Sequence, residues 1–317
     1  MLRIILWTLG GLVILGVIAA IALQIAISRD GPWVLSTVDR ITGGNRDVFP
    51  KALISTGEHA QQKLVVWGPD PKEGGDARPV LVFVHGGGWR SGDPESYDFI
   101  ARAFVPEGFV VVLAGYRLGE DGIYPAMLED TAADIAWVKQ NIAKYGGDPD
   151  RIVLAGHSAG AYNVVMMGLD PRWLSARGMS TGDIAGVIGM AGPYDFVPFD
   201  KDSTIAAFGH VSNPPETQPV EYARADAPPM LLVYGEEDEL VGAHNIDNLA
   251  TAIREAGGQV ETAIYPGMSH EDPLIALASP WRGREEVAAA MAAFAKAAVE
   301  SRSAPPAVSV PVQAESR

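Results

Sequence analysis

The chain has 317 residues, 48% apolar and 20% charged, which is enough for one large domain or two small ones with a buried core. A net charge of −15 argues against nucleic acid as a partner, because a phosphate backbone needs a basic surface. The absence of cysteine excludes disulfides, thiolate nucleophiles and cysteine-based zinc sites, and leaves the redox compartment open.

The first element is an apolar run from Ile4 to Ile27 with no charge and only Thr8 and Gln24 clearly polar. At about 1.5 Å per residue it spans a hydrocarbon core of roughly 30 Å. Trp7 suits the interface, with Arg3 beyond it. Residues 1–30 are therefore expected to be a single membrane anchor contacting lipid through 4–27. A cleaved signal peptide ending near Ala26-Ile27-Ser28 is the competing reading, although its apolar region should be shorter. Arg3 favours an N-terminus inside and the following domain outside the cytoplasm, while Arg29 and Arg40 flank the other end. Residues 31–59 are expected to connect the anchor to a domain over 60–300.

Within that domain Gln62–Trp67 suggests an early, more exposed strand. Short apolar runs then follow at Val80–Val84, Phe109–Leu113, Ile152–Ala155, Ala185–Met190, Met230–Tyr234 and Val260–Tyr265. Each has the length and bounding residues of a buried strand. Helical patterns fall between them, at Met127–Tyr145 and Gly242–Ala256, each closed by a Gly-Gly pair, and at the alanine-rich Arg284–Val299. Strand and helix in alternation imply an α/β fold, a mostly parallel central sheet with helices on both faces. Residues 196–228, with prolines at 198, 214, 215, 219 and 228, look like an insertion over the sheet and a possible lid. The Pro-rich stretch 301–317 reads as a disordered tail.

Gly156-His157-Ser158-Ala159-Gly160 sits between the strand at 152–155 and a following helix. A serine at such a turn is lifted clear of the sheet, and side chains at 156 and 160 would collide with neighbouring backbone. The helix also points its positive end at the site. The bland alternative is a glycine-rich turn with an incidental N-cap serine. A serine hydroxyl needs a base. Of the six histidines, His270 lies on the loop after the last strand, where functional groups gather in a parallel sheet. His210 is the second candidate. His59 and His244 are read as surface residues, and His157 as pointing elsewhere. Asp238, in the acidic run Glu236-Glu237-Asp238-Glu239 after the strand Met230–Tyr234, is expected to orient His270, with Glu236 and Glu239 solvated. The order Ser158, Asp238, His270 suits this strand–turn–helix arrangement. The loop His85-Gly86-Gly87-Gly88-Trp89 lets backbone N–H groups approach a substrate oxygen. Gly87, Gly88 and Ala159 are the expected oxyanion donors, with His85 and Trp89 as braces. A phosphate cradle would need a following Lys-Ser/Thr pair, which this loop lacks.

These motifs resemble the α/β-hydrolase fold over residues 60–300. The resemblance is to its HGGG-loop carboxylesterase/lipase branch, which includes hormone-sensitive-lipase-like and acetyl-xylan/feruloyl-esterase-like proteins. Tyr116-Arg117-Leu118 and Asp134-x-x-Trp137 also look like features of that branch. The resemblance implies a cofactor-free serine hydrolase without a metal, acting through an acyl-enzyme on a small-molecule ester. A short acyl or aryl ester is expected, because no long apolar cap is evident, while the membrane anchor pulls the other way, towards lipid-like esters. Arylformamidase-like amide cleavage is an alternative within the class. A membrane-tethered hydrolase-fold binding protein without turnover is the alternative outside it. Oligomeric state is not encoded legibly.

Overall fold

The computed structural model describes residues 2–44, 47–69 and 75–303, with side chains described from 15 to 302 within those spans. Of the expected disordered tail at 301–317, residues 301–303 are instead the end of the last helix, and the rest, with the side chains of Arg3 and Trp7, lies outside the described residues.

The elements in chain order are α1 (Leu2–Thr42), β1 (Val48–Ser55), β2 (Lys63–Pro69), β3 (Arg78–Val84), α2 (Asp98–Phe104), β4 (Val110–Ala114), α3 (Ala126–Asn141), β5 (Gly147–His157), α4 (Ala159–Leu169) and α5 (Pro171–Ser175). They continue with β6 (Ile184–Met190), α6 (Asp202–Phe208), β7 (Met230–Gly235), α7 (His244–Glu255), β8 (Val260–Tyr265), α8 (Asp272–Ile275) and α9 (Val287–Ser303). The eight strands form one sheet in the order β1-β2-β4-β3-β5-β6-β7-β8. The first two pairings, β1 with β2 and β2 with β4, are antiparallel, and all the others are parallel. This is the α/β-hydrolase architecture.

Burial on both faces explains why the central strands read as unbroken apolar runs. On β3, Val80, Val82 and Val84 enter the core beneath α3, α4 and α7, while Leu81 and Phe83 enter the core beneath α2 and α9. A polar residue anywhere on such a strand would lose its water without gaining a partner.

The segment 31–59 is not a featureless connection. Helix α1 runs on to Thr42, and β1 adds an edge strand at 48–55. Asp30 breaks the helix with φ −154° and ψ 82°, and its Oδ1 accepts the N–H of Trp33 at 2.8 Å. Asp30 thus caps a second helix whose first turn holds Pro32, where the missing N–H costs nothing. The part from Gly31 to Thr42, here called the stalk, docks on the domain. Its Asp39 is fully buried, with Oδ1 accepting from Arg282 Nη2 and the Ser279 N–H, each at 2.7 Å, and Oδ2 paired with Arg102 Nε. Before Asp30, the described part of α1 is apolar and exposed, and the helix is long and apolar enough to cross a membrane. A signal sequence has the same character.

The insertion at 196–228 holds α6 and two 3-10 turns, at Pro214–Thr217 and Pro219–Tyr222, and no strand among the described residues. Its start, from Phe196 to Thr204, lines the cavity that also holds Ser158 and His270.

Candidate active site

Ser158 stands at the junction of β5 and α4 with φ 52° and ψ −119°, a backbone conformation costly for a residue with a side chain. Two close approaches enforce the turn. A Cβ on Gly156 would lie 2.4 Å from the Gly160 carbonyl oxygen, and one on Gly160 would lie 2.1 Å from the Val84 carbonyl oxygen. Helix α4 therefore presses directly on the ends of β3 and β5, which only glycine at both positions allows. The Ser158 side chain makes no capping bond to the helix, so it is not an incidental N-cap. Its Oγ lies 2.9 Å from His270 Nε2 instead.

His270 follows β8, and Asp238 follows β7. Nδ1 of His270 donates to Asp238 Oδ2 at 2.7 Å, and Asp238 Oδ1 accepts the N–H groups of Leu240 and Val241 at 2.9 and 2.8 Å. The carboxylate is buried with both oxygens engaged, while Glu236, Glu237 and Glu239 are exposed. The two loops are stitched to each other. The Glu236 and Glu237 N–H groups donate to the carbonyls of Tyr265 and Met268 at 3.0 and 2.9 Å. On the other side, Asp272 Oδ2 accepts from both the N–H and the hydroxyl of Ser269.

His157 has a part that sequence reasoning missed. It is buried, and its Nε2–H donates to the His270 carbonyl at 3.0 Å, so it pins the backbone of the loop that carries the imidazole. Burial, chiefly, holds His157 below the ordinary histidine range. The adjacency of 157 to the serine hinted at a role, but the carbonyl it reaches lies far along the chain.

The loop after β3 carries Gly87 and Gly88 at φ 108° and 59°, and among the described residues their N–H groups have no backbone acceptor. A Cβ on Gly87 would lie 1.9 Å from the Ser91 carbonyl oxygen. The braces are as expected in kind. The His85 ring stacks on Tyr116 at 4.7 Å and on Tyr97 at 5.7 Å and donates from Nδ1 to the Gly86 carbonyl. Burial pushes it down to about 4, so it is a neutral spacer at pH 7. Trp89 donates from Nε1 to Asn163 on α4 at 3.2 Å, tying this loop to the serine helix. Ala159 begins α4, where the first N–H groups of a helix have no partner within it.

Ser158, Ala159, His270, Gly87 and Gly88 share one cavity of about 550 Å³. Its walls include Trp89, Phe196 and Leu240, with Asp195, Lys201 and His244 among the polar groups. His244 is exposed, as its reading as a surface residue required, but it stands on the cavity wall, where Nε2 donates to the Asp195 carbonyl. His210 is spent on the Tyr124 carbonyl at 2.8 Å and is not part of this wall. His59 pairs with Asp121 at the surface. Asp134 on α3 is buried, and burial raises its carboxyl well above the usual range. The donor atoms of His157, His270 and Glu271 lie within 4.8 Å of one another. The hydrogen bonds already made by both His270 nitrogens and by His157 Nε2 make this a poor metal site.

With this geometry in hand, comparison with known proteins places the chain. The BD-FAE family model matches residues 69–253, more than half of the chain. The chain belongs to the BD-FAE family. The dienelactone hydrolase family model matches residues 195–313, which include Asp238 and His270. Esterase LipQ of Mycobacterium tuberculosis is 30% identical over 67% of this chain and 55% of its own length. Carboxylesterase NlhH of the same organism is 44% identical over 30% of each chain. This BD-FAE member thus spans about half the length of LipQ and less of NlhH. Among solved structures, a truncated carbohydrate esterase from gut microbiota shares the fold, with a TM-score of 0.69 at 19% identity over 80% of this chain and 96% of that one.

Proposed function

We propose that the protein is a serine carboxylesterase working through an acyl-enzyme on small-molecule esters. The observation that carries the reading is the hydrogen-bonded line Ser158–His270–Asp238, at 2.9 and 2.7 Å, opening into the cavity beside Gly87 and Gly88. Ser158 Oγ attacks the acyl carbonyl as its proton passes to His270 Nε2. Asp238, held by two backbone N–H groups, fixes the tautomer and stabilises the imidazolium. The N–H groups of Gly87, Gly88 and Ala159 receive the oxyanion, each donor of this kind contributing about 100–1,000-fold in turnover. The alcohol leaves with the proton from His270, and water, activated by the same imidazole, releases the acid.

Esterase and carboxylesterase relatives support this chemistry over amide cleavage. A short acyl group suits the cavity, because the walls at Trp89 and Phe196 are backed by the packed rings of Tyr162 and Phe208. The apolar part of α1 is read as a membrane anchor with the esterase domain outside the cytoplasm. A fluorophosphonate probe tests the chemistry. Labelling of the wild type that disappears in Ser158→Ala supports it, and an unlabelled wild type refutes it in favour of a non-catalytic binding protein.

A further inference from the structure

Where the apolar helix leaves the domain decides which way the cavity faces. Strands β3 and β4 are parallel, so α2 between them runs from the rim that holds Ser158 to the opposite edge of the sheet. The stalk descends the same way. At its start Asp30 Oδ2 accepts from the Ser96 hydroxyl at 2.7 Å, in the turn that follows the glycine loop and precedes α2. Further on, Asp39 pairs with Arg102, near the end of α2. The chain then enters β1, where Val48 pairs with Pro69, beyond the Trp67–Val111 pair and away from the rim. Asp30 therefore sits at the catalytic rim, and the apolar helix departs from there. Its large side chains from Leu15 to Ile27 are 46–63% exposed, so it does not fold back on the domain.

The same rim carries exposed apolar side chains. Val197 and Leu240, both on the cavity wall, are 42% and 55% exposed. Ile205 on α6 is 51% exposed, and Trp33, at the top of the stalk, 52%. Other exposed apolar side chains, Ile41, Phe49, Leu53, Ile264 and Trp281, lie elsewhere on the domain, so the rim is singled out by Val197 and Leu240 at the cavity mouth and by Trp33 beside the apolar span, where a tryptophan suits the lipid–water boundary.

We infer that the mouth of the cavity lies against the bilayer, and that its substrate is an ester of a membrane-resident amphiphile whose carbonyl sits at headgroup depth. This inference rests on the esterase reading of the site and on the reading of α1 as a retained membrane anchor, and names the substrate class. The stalk fixes where the chain leaves the domain. It is bound to the oxyanion-loop side through Ser36, whose hydroxyl donates to the Ser96 carbonyl at 2.8 Å, and to the segment after His270 through Ser279 and Arg282, so the chain leaves the domain at a fixed point on the rim, at the Asp30 break. A net charge of −15 selects a zwitterionic surface over an anionic one.

The cysteine-free chain allows a test that does not depend on turnover. Ile205→Cys, at the rim, and Lys144→Cys, in the exposed turn before β5 at the opposite edge, each take one fluorophore in the full-length protein. In phosphatidylcholine vesicles carrying a headgroup nitroxide lipid, severalfold stronger quenching at 205 than at 144 is expected. Equal quenching, stronger quenching at 144, or quenching at neither overturns the inference. Fluorophosphonate labelling of Ser158 in the same vesicles reports separately on the esterase reading. For the substrate class, Ile205→Glu is expected to lower acetate release from hexadecyl acetate held in those vesicles about tenfold while leaving soluble p-nitrophenyl acetate unaffected. Equal rates on both substrates, or a parallel fall on both, overturns it.

Discussion

Gly160→Ala probes the physical basis of the site without touching any proposed catalytic group. The added methyl would sit 2.1 Å from the Val84 carbonyl oxygen and 2.5 Å from that of His85, where ordinary contact begins near 3.4 Å. Both obstacles are backbone, so no rotamer change relieves them. Helix α4 must move off β3 by about 1 Å, because the interior has no slack to absorb the atom. Overpacking of this kind costs about 1–3 kcal/mol, which lowers Tm by several degrees in a chain of this size. The larger effect falls on turnover. Ser158 precedes that helix directly, and a shift of about 1 Å opens its 2.9 Å contact with His270, a misplacement that costs about 100-fold in kcat/KM. The assay pairs p-nitrophenyl acetate kinetics with thermal unfolding, and Gly75→Ala, where a Cβ meets nothing within 4 Å, is the control. Near-wild-type activity and Tm in Gly160→Ala would refute the claim that glycine is there to let the helix seat the serine.

Three further outcomes are expected. His270→Ala loses several orders of magnitude in kcat and keeps its fold by circular dichroism, and retained activity would reassign the base. Stability falls as pH drops from 6.5 to 4, because an unfolded histidine takes a proton near 6.5 while buried His85 refuses one until about 4. The unfolded state thus binds the extra proton throughout that window, costing about 3 kcal/mol by its lower end, with His157 shifted the same way. Urea unfolding at pH 7 and 4.5 measures the slope, which His85→Gln should flatten and an equal slope in both proteins would contradict. Asp39→Ala removes the carboxylate that Arg102 and Arg282 share, leaving Arg102 with Asp98 and Arg282 with the Leu277 carbonyl, and costs about 3 kcal/mol, read as a fall in urea midpoint, and an unchanged midpoint would show that the stalk is not part of the domain.

The sequence was most legible where one physical constraint acts on neighbouring residues. The runs at 80–84 and 230–234 announced strands because helices on both faces leave few places for a polar side chain, whereas 260–265, expected as a buried strand, is the exposed edge strand β8 with Glu261 and Thr262 in it. Gly156 and Gly160 announced the turn because the collision they avoid is local. Strand β1 hid because it is an edge with Pro50, a register shift and only Val48 buried. Helix α2 hid because all seven of its residues are buried, which erases the amphipathic period. The stalk was the hardest to read. Asp39 looks like any charge after an apolar helix, and its partners stand 63 and 243 positions away. The pinning of the His270 carbonyl by His157 belongs to the same class, a hydrogen bond between loops that no spacing encodes.

The most direct test of the account is to catch the intermediate. The wild-type protein mixed with excess p-nitrophenyl acetate and quenched in acid should carry one acetyl group, mapped by peptide mass spectrometry to Ser158, with a matching burst of p-nitrophenol. Steady release of p-nitrophenol with Ser158 unmodified at every quench time, or an acetyl group on another residue, would contradict it.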